Sequence, residues 1–134
     1  MSADRPHGLT ALVMAAIVSA ATAAALAAGG AILSGGADAA LILAIAVFLT
    51  GLFVALVHAL VLGGPLYYAL ASRLPLTLGA ALAASVTVAT VPIGALMVAN
   101  LEGAPDWPAL FFPLAGLALS GAAGGFIFWQ LMRD

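Results

Sequence analysis

The chain has no cysteine and no lysine, and only 6% of its 134 residues are charged. Without cysteine there is no disulfide framework, no thiolate metal site and no thiol redox chemistry. Three arginines against five acids give a formal charge of −2, so there is no basic face for gripping phosphates and no nucleic-acid partner is expected. Soluble domains carry about 25% charged residues, so this chain has too few to cover a water-facing surface. No glycine-rich phosphate loop, paired carboxylates, metal-ligand cluster or nucleophile with its base can be found. The expectation is therefore a protein that is not an enzyme and holds no cofactor.

Apolar residues make up 66% of the chain, with a mean hydropathy of +1.27. A bilayer core about 30 Å thick is crossed by roughly 20 apolar helical residues. Four such runs lie between the charges, at residues 9–33, 39–62, 76–99 and 107–132. A β-barrel would need short strands of alternating polarity, which are missing, and in hydrocarbon only helices or closed barrels satisfy the backbone. The expected fold is all-α: one integral membrane domain of four transmembrane helices, with the lipid bilayer as its principal partner.

Positive charge stands only at Arg5, Arg73 and Arg133, in the N-terminus, the loop between the second and third spans, and the C-terminus. The other two loops carry Asp38, Glu102 and Asp106 and no base. The positive-inside rule then puts both termini in the cytoplasm. Tyr67, Tyr68 and Trp129 precede the arginines and Trp107 opens the fourth span, positions suited to headgroup-level aromatic rings. Asp38 and Asp106 stand where a carboxylate can cap a helix. A secretory signal peptide is the alternative for the first run, since residues 23–27 offer small-x-small cleavage sites. Its length, and Asp4 beside Arg5, favour a retained span.

Helices in lipid associate by close van der Waals contact, which small residues permit. Gly51, Ala55, Ala59 and Gly63 recur every fourth position in the second span, as do Gly116, Ser120 and Gly124 in the fourth. These stripes are candidate packing faces, within the bundle or toward a second copy or a larger membrane complex. Pro65, Pro92 and Pro113 lie within spans. Each removes an N–H and crowds the carbonyl four residues back, at Val61, Val88 and Ala109, so kinks are expected. The segment 39–72 exceeds one straight span, and Gly63, Gly64 and Pro65 are expected to break it; tilt is the alternative.

The two hairpins also look alike. Ala16, Val18, Ala21, Thr22 and Asp38 match Ala84, Val86, Ala89, Thr90 and Asp106 at one offset. A true duplication would place a pseudo-two-fold axis along the membrane normal, as in some transporters.

His58 is the one ionisable side chain well inside a span. Such a group suggests a functional site facing the bundle or a wet cavity, and histidine can relay protons near neutral pH. The plainer alternative is a neutral imidazole donating to a backbone carbonyl or a hydroxyl. Haem ligation would need a second intramembrane histidine, and His7 lies at the terminus. Thr87 and Thr90, with Ser85, precede Pro92 and could line a polar path beside the freed Val88 carbonyl, or bond backward to their own helix.

The alanine-rich, lysine-free composition, residues 58–73 and the ending Gly124-Gly125-Phe126-Ile127-Phe128-Trp129 resemble small uncharacterised four-helix inner-membrane proteins of Proteobacteria. That resemblance implies a bacterial inner-membrane location and no known activity. Small multidrug transporters differ, because they carry a glutamate in a first span that here has no acid. Two functions remain. One is a structural or accessory membrane subunit packing through its small-residue faces. The other is a small transporter or channel with His58 as its proton-responsive group. Transport requires water access to His58; the subunit requires an unfilled packing face on the isolated bundle.

Overall fold

The computed structural model describes residues 7–71, 75–100, 103 and 106–133. Arg5, Arg73 and Glu102 lie outside the described residues. Five α-helices run as α1 (His7–Leu33), α2 (Ala37–His58), α3 (Gly64–Ala71), α4 (Leu78–Ala99) and α5 (Trp107–Met132), with a π-helical turn, Ala59–Gly63, joining α2 to α3. No strand occurs among the described residues. Four segments are long and apolar enough to cross a membrane, at 8–33, 37–69, 78–99 and 110–132. The outer surface suits lipid: Leu41, Ile42, Phe53, Phe111 and Phe112 are all exposed, a density of large apolar groups that water-facing monomers avoid.

The helix ends follow from local chemistry. The α1 helix closes in a Schellman arrangement: Gly36 N–H donates to Ala31 O at 2.8 Å and Gly35 N–H to Ile32 O at 3.1 Å. Gly35, at φ +84°, takes the left-handed position that disfavours a side chain. Gly36 then serves as the N-cap of α2 without a side-chain cap, so Asp38 falls inside the first turn and is not the cap. At α4, Thr77 Oγ1 accepts from Ala80 N–H at 3.1 Å. At its far end Asn100 Nδ2 donates to Leu96 O at 2.7 Å.

The expected break at Gly63, Gly64 and Pro65 is replaced by the π turn, and the helix runs on through it. Gly64 N–H reaches back five residues to Ala59 O. Proline at 65 can neither donate to Val61 O nor tolerate it close by. Widening the turn by one residue moves that carbonyl aside at less cost than leaving the helix, because unpaired backbone groups are expensive in hydrocarbon.

The helices form an arc in the order α2, α1, α5, α4. The α1 helix packs along both α2 and α5, and α4 packs along α5. The fourth seam, between α2 and α4, is nearly unmade and closes only where the π turn meets α4. A two-fold axis relating the hairpins would make the α1–α5 and α4–α2 seams equivalent; the first is extensive and the second open, so the bundle is not two-fold symmetric.

The closed seams are built on minimal side chains. Ala11, Ala16, Ala20 and Ala24 of α1 are buried, as is Ser120 of α5. A Cβ added to Gly124 would collide with Ser19 Oγ and lie 2.8 Å from Ala15 O. One on Gly121 would lie 2.8 Å from Ser85 O, and one on Gly125 would lie 2.9 Å from Ala81 O. Glycines of α5 thus meet the backbones of α1 and α4 directly, the close approach that drives association in lipid.

Candidate functional site

Beside the open seam lies a cavity of about 350 Å³ walled by every helix of the bundle. Its lining is mainly alanine and glycine, with one polar side chain from each long helix: Ser19 of α1, His58 of α2, Ser85 of α4 and Ser120 of α5. Toward the end of the bundle that holds His7 and Met132, Tyr67, Phe128 and Met132 form its floor. The Tyr67 ring stands edge-on to Phe128 with centroids 5.5 Å apart.

His58 is the last residue of α2, immediately before the π turn. Its Nδ1 lies 2.8 Å from Val54 O, one helical turn back. A carbonyl can only accept, so Nδ1 carries the hydrogen and donates it. In the neutral ring this leaves a lone pair on Nε2. No buried side-chain nitrogen or oxygen lacks a partner among the described residues. Nε2 makes no bond there, so it is not fully buried, and His58 is among the residues that line the cavity. The histidine therefore satisfies the helix backbone through one nitrogen, the plainer role considered from sequence, and also lines the cavity.

The hydroxyls divide the same way. Ser120 Oγ donates to Gly116 O at 2.8 Å and Thr90 Oγ1 to Val86 O at 2.7 Å, each within its own helix. Thr87 is on the exposed face of α4 and does not line the cavity, and neither does Thr90. Val88, the residue whose carbonyl loses a donor to Pro92, does line it. Ser19 and Ser85 line it too, with no hydrogen bond among the described residues. The structure thus brings His58 together with Ser19 and Ser85 and not with the threonine pair. The available signal was that the spans of α1, α4 and α5 each hold one serine well inside their length, at positions 19, 85 and 120.

The two small-residue stripes have different fates. Gly51, Ala55, Ala59 and Gly63 line the cavity, and a Cβ added at Gly51 or Gly63 would meet α1 only in ordinary contact, at Ala20 and Leu12 respectively. In α5, Ser120 and Gly124 are buried in the seams, whereas Gly116 has open space where a Cβ would go. Pro92 and Pro113 lie inside α4 and α5, and Pro65 follows the π turn.

Such a site is chemically simple. An apolar chamber of this size with a lone-pair acceptor and two free hydroxyls fits the ordinary small-molecule pocket, which spans about 300–1,000 Å³ and carries few polar groups. No group of three or more metal-ligating side chains occurs among the described residues. Searches of protein-family models, curated proteins and solved structures find nothing that matches this chain.

Proposed function

We propose that this chain is a small carrier of the bacterial inner membrane, with both termini in the cytoplasm. In this reading it takes a small, mostly apolar, uncharged molecule from the bilayer into the cavity beside His58. The observation that carries the proposal is the cavity of about 350 Å³ with His58 in its wall. Its volume supports the carrier reading over the subunit reading. A helix with its side chains is about 10–12 Å across, far more than this chamber admits, whereas a small ligand fits. The open α2–α4 seam offers a sideways entrance from lipid. The orientation follows from the placement of Arg5, Arg73 and Arg133.

The ligand's recognition feature is a hydrogen-bond donor, a hydroxyl or amide N–H, meeting Nε2 of the neutral imidazole. A proton arriving on Nε2 would turn that acceptor into a donor and eject such a ligand, which gives histidine its use as a release switch. An accessory-subunit role stays in play through one observation: the lipid-facing surface of α2, with Leu41, Ile42 and Phe53, is free to be covered by another protein.

Mass spectrometry of the chain, extracted in mild detergent from its own host at native level, separates the two. The carrier should arrive alone or as a small homo-oligomer with a small molecule bound, and lose that molecule in His58→Ala and in the cavity-filling Ala55→Phe. A stoichiometric complex with other polypeptides and an empty cavity would overturn the carrier and establish the subunit.

A further inference from the structure

The cavity beside His58 is longer than it is wide. Its wall runs from Leu12 to Ala23 along α1 and from Gly51 to Gly63 along α2 and the π turn. At 1.5 Å per residue those stretches rise ~17 and ~18 Å. Spread over ~17 Å of helix, a volume of about 350 Å³ leaves a mean section of ~20 Å², roughly 5 Å across. Carbon atoms pack about 3.5–4.0 Å apart, so the slot takes one hydrocarbon chain and not two abreast. An extended chain advances about 1.2 Å per atom, which makes the slot about 14 chain atoms long. Its polar groups stand in the middle of that length. His58 is seven residues from Gly51 and five from Gly63; Ser19 is seven from Leu12 and four from Ala23. Ser19 and Ser85 meet α5 within one turn, the first at Gly124 and the second at Gly121 and Gly125. Leu12, Leu66 and Phe128 line the slot on one side of this polar belt, and Ala23, Ile93 and Leu117 on the other.

We infer that the ligand is a secondary carboxamide, an uncharged chain molecule with its amide near the middle and an apolar arm on each side. The inference rests on the carrier reading. Nδ1 of His58 is committed to Val54 O, so the neutral ring offers Nε2 as an acceptor. Ser120 is spent on Gly116 O, whereas Ser19 and Ser85 make no hydrogen bond among the described residues and have hydroxyl hydrogens to give. A group that suits both must donate once and accept once. An amide N–H donates to Nε2 and its carbonyl accepts from a serine, so neither is left unpaired in an apolar slot. The planar trans amide points the two to opposite sides of its chain, suiting partners on different helices. An ester supplies only the acceptor. A polar group at the end of a chain would leave one arm of the slot unfilled, forfeiting the contacts of its lining.

Uncharged probes that enter through lipid test this. The purified chain in lipid nanodiscs is titrated with N-hexylhexanamide, with hexyl hexanoate, and with dodecanamide, an isomer of the first with its amide at the chain end. Occupancy is read by native mass spectrometry. N-hexylhexanamide should bind about tenfold tighter than either of the others, the worth of one hydrogen bond. His58→Ala should abolish the preference for amide over ester. Ser19→Ala combined with Ser85→Ala should weaken amide and ester alike and keep the preference, since both probes carry the carbonyl. The comparison on the native chain depends on no variant folding. Equal binding of the three probes overturns the central amide and leaves the carrier standing, and so does an amide preference that survives His58→Ala. No probe binding, with a small molecule still bound in the chain extracted from its host, overturns the amide alone; an empty chain as well overturns both.

Discussion

The α1–α5 seam and the α2–α4 seam would be twins if the bundle had the symmetry its hairpins suggest, yet one is closed and the other hollow. In the span-forming windows, 22% of α1 and 28% of α5 are buried, against 6% for each of α2 and α4, so the first pair forms the spine of the bundle and the second its flanks. Both seams are rich in small residues. The difference is that α5 presents glycines, at 121, 124 and 125, directly to the carbonyls of Ser85, Ala15 and Ala81. The small face of α2 has no comparable backbone opposite it on α4. Lipid tails are as apolar as leucine, so nothing pulls α2 onto α4 unless their surfaces already fit. Small side chains therefore close a seam where backbones meet, and leave a chamber where neighbouring seams hold them apart.

The sharpest way to break this comparison is to put bulk on the glycines. Gly124→Leu would drive side-chain atoms into Ala15 O and Ser19 Oγ, backbone and near-backbone groups that cannot yield cheaply. Overpacking of this kind costs about 1–3 kcal/mol and sometimes more. A large fall in thermal stability, or loss of the monodisperse species in detergent, is expected. Gly116→Leu, on the same helix and the same stripe, should change stability by no more than about 0.5 kcal/mol, as substitutions at unpacked sites do. Equal effects at the two positions would mean that the α1–α5 seam is not built on glycine contact.

That pair of variants also marks what sequence could and could not supply. Length and hydropathy were enough for four helices long and apolar enough to span, with bounds within two residues of those expected except at the end of the second, which runs to Ala69 and not to residue 62. The caps were less legible: Asp38, expected to cap α2, lies inside its first turn, and Thr77 caps α4. The spacing that joined Gly116 to Gly124 was real as periodicity, but periodicity does not say which helix lies opposite. Only the facing backbone separates a locked glycine from an open one. The same gap hid the cavity. Thr87 and Ser85 are two positions apart, about 200° around a helix at 100° per residue, and nothing in the sequence says which of those faces turns inward. The turn at Gly63 and Gly64 was misjudged for another reason. Glycine and proline together signal a break in water, whereas in hydrocarbon a wider helical turn keeps the backbone paired.

An intermediate effect is expected at that turn. Pro65→Ala restores an N–H and removes the ring that crowds Val61 O, so the π turn can tighten to an ordinary α turn. Losing the extra residue rotates everything beyond it by about 100°. Tyr67 would then swing away from Phe128, whose ring it now meets edge-on at 5.5 Å. A cross-link by a short bifunctional thiol reagent between cysteines at positions 67 and 128 should form with Pro65 in place and fail in the Pro65→Ala background. A cross-link that survives would show that α3 is held by α5 and not aimed by the turn.

The smallest expected effect tests the hollow seam from outside. Phe53 of α2 is 70% exposed, while Phe128 of α5 is 8% exposed and forms the floor of the cavity. In water, truncating an exposed phenylalanine would itself change the balance by removing apolar surface from solvent. In lipid that contribution vanishes, since the side chain leaves one hydrocarbon surrounding for another, and only lost packing against protein counts. Phe53→Ala should accordingly leave both stability and the mass of the extracted species unchanged, within about 0.5 kcal/mol for the former. A lighter species, or a measurable loss of stability, would mean that Phe53 packs against protein in the membrane. The flank of α2 would then be an interface, and the accessory-subunit role would take precedence over the carrier.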